Sequence, residues 1–152
     1  MKNTNYKIPI SSLILIYTKQ LDILLLSRCD KKNFWQSVTG SIEQNESPFE
    51  TAKREVFEET GIICDNYHLE DWNLNHRYKI FSHWQSRYAP GIHYNTEHIF
   101  GLELPNKVEI TIAPKEHNDF KWVSLDVAKE LVFSWTNVKA LEKLYEIKQL
   151  AS

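Results

Sequence analysis

An α+β fold, an α/β/α sandwich with a central mixed β-sheet, is what this sequence predicts. Three observations point to it. Strand-like runs stand both before and after one well-punctuated helix at 47–60. The hydrophobic period then lengthens from that of a strand to that of a helix in the C-terminal third. The chain of 152 residues has the size of one domain, 1–152. A domain of that size buries roughly 68–70% of its unfolded surface in a single core. Elements of these kinds bury their apolar faces by packing in layers.

The first strand is expected at about 7–17, KIPISSLILIY. It follows Lys2 and Lys7 and so imitates a signal peptide, but its apolar run is short and Ser11-Ser12 interrupts it. It also lacks a small-residue cleavage site, which favours a buried strand of a cytoplasmic protein. Further strands are expected at 22–28 and 35–39. The helix at 47–60 follows, with Phe49, Ala52 and Val56 as its apolar stripe. Segments 66–72 and 73–84 read as extended, because Trp72, Tyr78, Ile80, Phe81 and Trp84 favour strands. A turn-rich piece at 87–91 precedes a strand at 95–104 that Pro105 ends. Short strands are expected at 107–112 and 119–123. Ser124 can cap a short helix through Leu131. A last helix starts near Ser134 or Thr136 and carries Val138, Leu141, Leu144, Tyr145 and Lys148 at amphipathic spacing.

Composition narrows the function. The formal charge of −2 supplies no general attraction to nucleic acid or to an anionic membrane. An anionic ligand would therefore need a local basic cluster or a metal. Cys29 and Cys64 make no disulfide framework and no C-x-x-C pair, as expected of two reduced thiols. There is no internal repeat, and no segment approaches the ~18 apolar residues of a membrane span. Six histidines are scattered without metal-ligand spacing, so no zinc site is expected.

The helix at 47–60 carries the chemistry. Ser47 suits the N-cap, Pro48 the first helical position, and Glu50 completes a capping box. Gly61 can close the helix in a left-handed conformation. Glu55, Glu58 and Glu59 share one arc beside the Ala52/Val56 stripe, where water screens them less. Either they form a solvated, salt-bridged surface with help from Arg54, or a hard divalent cation balances them.

The longer pattern bears on that choice. In residues 40–62, GSIEQNESPFETAKREVFEETGI, nine defined positions recur at fixed spacing: Gly40, Glu46, Arg54, Glu55, Val56, Glu58, Glu59, Gly61 and Ile62. This resembles the signature of the Nudix hydrolases, which cleave nucleoside diphosphates linked to another moiety. The segments FWQSVTGS (34–41), FSHWQSRYAPG (81–91), NTE (95–97), KEH (115–117) and FSWTN (133–137) are similar to the bacterial dihydroneopterin triphosphate pyrophosphatases within that family. The similarity runs, with gaps, from about Tyr6 to Leu144.

The resemblance implies a Nudix fold and a Mg²⁺-dependent enzyme of folate biosynthesis, with Mn²⁺ as a substitute. It would convert 7,8-dihydroneopterin 3′-triphosphate to the monophosphate and pyrophosphate. Glu55, Glu59 and Glu116 would be metal ligands, joined by the Gly40 carbonyl. Glu58 would bind a second metal or act as base. Arg54 would hold the glutamates in place, and Glu46 would brace the loop or Arg54. Lys7, Arg28, Thr39 and Ser134 would touch the substrate, Ile80, Phe81, Ser82 and His83 would line its pocket, and Trp35 would stack on a ring. Each also has a plainer role: Glu116 as a surface acid, His83 and His117 as structural histidines, Trp35 as core, Lys7 and Arg28 as solvated cations, Ser134 as a helix cap. Cys29 stands where an arginine is usual, Lys31-Lys32 where acidic and proline residues are common, and Asn45 where glycine is typical. A house-cleaning (d)NTP pyrophosphatase, or a non-catalytic nucleotide sensor, shares the same box. Monomer and homodimer are both compatible with the terminal helix.

Overall fold

The computed structural model describes residues 5–29 and 33–151. Lys2 and Lys31-Lys32 lie outside the described residues. A seven-stranded sheet forms the centre. Its strands are β1 (Ile10–Thr18), β2 (Ile23–Arg28), β3 (Trp35–Gln36), β4 (Val38–Ser41), β5 (His68–Lys79), β6 (Tyr94–Leu104) and β7 (His117–Val123). The main path runs β3-β2-β1-β6-β5, with β4 on β1 and β7 on β2. Only β1 and β6 pair in parallel, so the sheet is mixed as expected.

The segment that imitated a signal peptide is the middle of this sheet. Along β1, Leu13, Leu15 and Tyr17 point into one core and Ile14 and Ile16 into the other. A strand buried on both faces needs an unbroken apolar run, which is why alternation is absent from LILIY. The first core is covered by α2 (Leu125–Leu131) and α3 (Trp135–Ala151), through Ala128, Ala140, Leu141 and Leu144. The second is covered by α1 (Pro48–Thr60), through Ala52 and Val56. Fully burying each such Leu or Ile contributes about 1.5–3 kcal/mol. Among the described residues, no helix is long and apolar enough to cross a membrane.

Helix punctuation follows the local signals. Glu50 N donates to Ser47 Oγ at 3.1 Å and Ser47 N to Glu50 Oε1 at 2.8 Å, closing the capping box. Gly61 ends α1 at φ 78°, and its N–H donates to the Phe57 carbonyl. Asn45, standing where glycine is typical, adopts φ 66°. The loop keeps its left-handed residue because asparagine tolerates that region better than most side chains. Ser134 caps α3, accepting from Asn137 N at 3.1 Å.

Several expectations are corrected. Segment 107–112 is not a strand; Thr111 N donates to Thr60 O at 2.9 Å, and Val108, Ile110 and Ile112 lean on the core under α1. The two extended segments 66–72 and 73–84 are one strand, β5, followed by a 3₁₀ turn, Ser82–Arg87. The expected strand 35–39 breaks at Ser37, whose backbone N–H donates to Asn137 Oδ1 at 2.9 Å. Phe49 does not join the buried stripe: it is half exposed and meets Phe100 edge-on at 6.0 Å.

Candidate active site

Arg54 organises the acids of α1. Its Nε and Nη2 donate to the two carboxylate oxygens of Glu46 at 2.7 and 3.0 Å, a bidentate pair. Nη2 also donates to the Ser41 carbonyl at 3.1 Å. Nη1 donates to Glu55 at 2.8 Å and to Glu58 at 3.2 Å. Glu46 is fixed in turn by Thr51 Oγ1 at 2.6 Å and Glu43 N at 3.0 Å. The hydrogen bond from Arg54 is the chief reason its pKa falls to about 2. One guanidinium thus ties the loop after β4 to the second and third turns of the helix.

The three glutamates part company. Glu58 faces solvent, with its side chain 52% exposed. Glu55 turns inward against Gly40, where any Cβ would overlap its carboxyl group. Glu59 is 1% exposed and meets His117 Nε2 at 2.8 Å. His117 Nδ1 lies 3.3 Å from the Ser27 carbonyl, which can only accept, so Nδ1 carries a proton. The Glu59–His117 contact then holds one further proton between its two atoms. Burial, followed by the neighbouring Glu55 carboxyl, raises the Glu59 pKa well above the ordinary carboxylate value.

Glu116 ends the turn before β7 and His117 is the first residue of that strand. Glu116 N and His117 N both donate to the Ala113 carbonyl, and Cys29 N donates to the Glu116 carbonyl at 2.9 Å. One ligand atom from each of Glu59, Glu116 and His117 lies within 4.8 Å of the others. The Glu55 carboxyl is near enough to raise the Glu59 pKa, so a third carboxylate adjoins the cluster. A set dominated by hard carboxylate oxygens, one of them desolvated, fits a hard divalent cation.

The acids form one wall of a cavity of about 1200 Å³. The same cavity is also lined by Lys7, Arg28 and Arg87, and Lys7 feels the charges of Glu55 and Glu116. Lys7 is anchored by its backbone N–H on the Arg87 carbonyl at 2.8 Å. Partial burial, then Arg87 and Arg28, lower its pKa. A second cavity of about 490 Å³ adjoins the first and shares Arg28, Thr39, Tyr78, Trp84 and Glu97 with it. Its walls are aromatic, with Phe34, Phe81, Phe133 and Trp135. The Arg28 guanidinium sits 5.2 Å from both the Phe34 and Trp84 ring centres.

The sites expected from sequence divide accordingly. Lys7, Arg28, Thr39, Gly40, Arg54, Glu55, Glu59 and Glu116 line the first cavity, and Phe81 and Ser134 the second. Trp35, Ile80, Ser82 and His83 line neither. Trp35 faces away because side chains alternate along a strand: its neighbour Gln36 lines both cavities, while its own ring packs on the core under α2 and α3, with Lys121 Nζ 4.2 Å from its centre. Ile80 is buried. His83 stacks on the outer side of Phe81 at 5.6 Å. Sequence reasoning gave no site role to Tyr78, Trp84, Arg87 or Glu97, and weighed His117 only as a structural histidine. Trp84 and Arg87 lie in FSHWQSRYAPG, Glu97 in NTE and His117 in KEH, so proximity to the quoted segments was the available signal.

Glu97 is a second buried carboxyl, pushed up to about 7 by burial. Both raised carboxyls have the same consequence for stability. The folded protein holds their protons more tightly than the unfolded chain does. The stabilisation is complete below the unfolded pKa of 4.5 and is lost as pH rises through the folded values. Metal-free protein is therefore expected to melt at a lower Tm near pH ~8 than near pH ~6. Mg²⁺ should raise Tm more at the higher pH, because there it displaces fewer protons. Thermal melts in EDTA and in Mg²⁺ at both pH values check this; a Mg²⁺-induced rise that shrinks with pH would contradict it.

Comparison with known proteins agrees with this geometry. The NUDIX domain model matches residues 7–144. The chain is 41% identical over 146 residues to a dihydroneopterin triphosphate diphosphatase of Escherichia coli K12, covering 94% of this chain and 96% of that one. It is 42% identical over 141 residues to the Haemophilus influenzae protein of the same name, covering 91% and 88%. The solved E. coli dihydroneopterin triphosphate pyrophosphohydrolase superposes with a TM-score of 0.84 at 41% identity, over 91% of this chain and 95% of that one. With the nine-position box seated on α1 and the family match spanning most of the sequence, the chain belongs to the Nudix hydrolases.

Proposed function

We propose that this chain is a single-domain, divalent-metal-dependent pyrophosphohydrolase that converts 7,8-dihydroneopterin 3′-triphosphate to the monophosphate and pyrophosphate, in the cytoplasm, as a step of folate biosynthesis. The observation that carries the reading is a polyphosphate-sized cavity lined by both the carboxylates of α1 and the cations Lys7, Arg28 and Arg87, adjoining an aromatic chamber. The 41% identity to enzymes with that activity in their names supports the substrate.

Glu55, Glu59 and Glu116, with the Gly40 carbonyl, would hold Mg²⁺. When bound, the ion supplies charge neutralisation for the phosphates and acidity to a water. Lys7, Arg28 and Arg87 bind the triphosphate tail, and their places in the cavity that the glutamates also line orient it. Arg54 is a positioning residue: it aims Glu55 through a 2.8 Å hydrogen bond. His117 orients Glu59 through the 2.8 Å contact. Phe81, Trp84 and Phe133 exclude water around the ring.

Purified protein incubated with Mg²⁺ and dihydroneopterin triphosphate is expected to release pyrophosphate, and EDTA to stop it. A kcat/KM more than ~10-fold higher for any canonical dNTP would transfer the assignment to a nucleotide pyrophosphatase, since about 1.4 kcal/mol of transition-state preference would then favour the nucleotide.

A further inference from the structure

The wall shared by the two cavities contains polar groups that the hydrolytic machinery does not use. On β6, Asn95, Glu97 and Ile99 face the same side of the sheet. Ile99 packs in the core, but Asn95 and Glu97 lie where that face reaches the cavities. Both are buried, at 1% and 4% exposure. Asn95 Nδ2 donates to Ser11 Oγ at 2.8 Å and to the Tyr78 hydroxyl at 3.0 Å. The Thr136 hydroxyl is near enough to the Glu97 carboxyl to lower its pKa against the larger effect of burial. Two acceptor atoms remain without any partner: Asn95 Oδ1 and Glu97 Oε1.

A buried acceptor left unpaired costs about 1–3 kcal/mol, so two of them two residues apart call for an explanation. Asn95 Oδ1 can only accept, and Glu97, once ionised above its folded pKa of about 7, can only accept. In that state both missing partners are donors, and the test below is run near pH ~8. The lining of the second cavity is aromatic, which suits a flat ring. A ring whose edge presents adjacent N–H donors would satisfy a carboxylate from within the plane. The 2-amino-4-oxopyrimidine edge, with its ring N3–H and exocyclic 2-amino group, has that pattern. Pterins and guanine share it; adenine and hypoxanthine do not.

We propose that Glu97 is the specificity-determining residue for the substrate's ring, accepting hydrogen bonds from an N3–H/2-amino edge while the triphosphate runs toward Glu55 and Glu59. The natural ring is a pterin only on the reading given under Proposed function; the edge recognised does not depend on that reading.

The test compares wild type with Glu97→Gln, which keeps shape but turns an N–H donor toward the ring. Metal-free binding of dGTP and dITP, which differ by the 2-amino group, is measured by calorimetry, beside kcat/KM for dihydroneopterin triphosphate. Wild type is expected to bind dGTP about 10–100-fold more tightly than dITP, as for a hydrogen bond to a charged acceptor, and the variant to bring that ratio close to one. The variant's kcat/KM for dihydroneopterin triphosphate should fall by a similar factor, chiefly through KM. A merely structural Glu97 would weaken dGTP and dITP equally, and that result overturns the proposal. So does a wild type that binds the two equally or binds neither. If wild type prefers dGTP to dITP through Glu97 but does not cleave dihydroneopterin triphosphate, the pterin reading fails and the Glu97 inference stands.

Discussion

Glu59→Gln is expected to lower kcat by about 10³-fold, the scale expected when a ligand of the cation that would neutralise developing phosphate charge is removed. By transition-state arithmetic this is about 4 kcal/mol. The substitution preserves shape, and the glutamine side-chain amide can donate an N–H to His117 Nε2 across the 2.8 Å contact, so the fold is retained. It also removes a carboxyl that burial disfavours in its charged form. The metal-free variant should therefore lose less Tm than wild type as pH rises from ~6 to ~8, while its Mg²⁺ response weakens. Opposite movements of activity and metal-free stability distinguish a metal ligand from a structural acid. Steady-state kinetics and thermal melts on the same preparation read both, and a full-rate Glu59→Gln enzyme would end the assignment of this turn to catalysis.

Gly40→Ala is the second large effect, expected to lower kcat/KM by about 10²-fold, the cost of moving a reacting group by roughly 1 Å. Gly40 has an ordinary backbone conformation, so this is a matter of space and not of φ. A methyl group there would occupy the position of the Glu55 carboxyl. The obstacle is the end of a flexible side chain, so Glu55 can swing away and leave the backbone of β4 and α1 in place. Its bond from Arg54 Nη1 would break, and the carboxylate would leave the cavity. Tm is expected to change by only a few degrees, about 1 kcal/mol in a domain of this size. Kinetics of Gly40→Ala beside Glu55→Gln test this: similar losses in both place the glycine's role in the seating of Glu55. A fully active Gly40→Ala protein would show that Glu55 is not used from its present position.

The parts of the molecule legible in sequence are those governed by near neighbours. The limits of α1 follow from Ser47, Pro48, Glu50 and Gly61, all within one turn of the ends they define. The central strand is legible because LILIY has no polar alternation, and only a strand buried on both faces tolerates that. Elsewhere local preference misled. The aromatics of 78–84 suggest a strand, yet past Lys79 the chain coils so that Phe81 and Trp84 line a chamber. The apolar alternation of 107–112 is real burial against α1 without a strand partner. Trp35 and Gln36 differ by one position, and one position decides which face of a strand a side chain takes.

Spacing on the helix placed Glu55, Glu58 and Glu59 together, and the sequence by itself determined that this turn is acidic, capped and close to an apolar stripe. Which of the three would be desolvated was decided by tertiary structure. Glu59 is buried because the start of β7, 58 residues away, lays His117 over it, and Glu58 is exposed because nothing does. Charge, caps and period are properties of the covalent chain within a few residues. Burial, and with it the energy of a charge, depends on what distant segment covers the group, and that is settled only when the layers close.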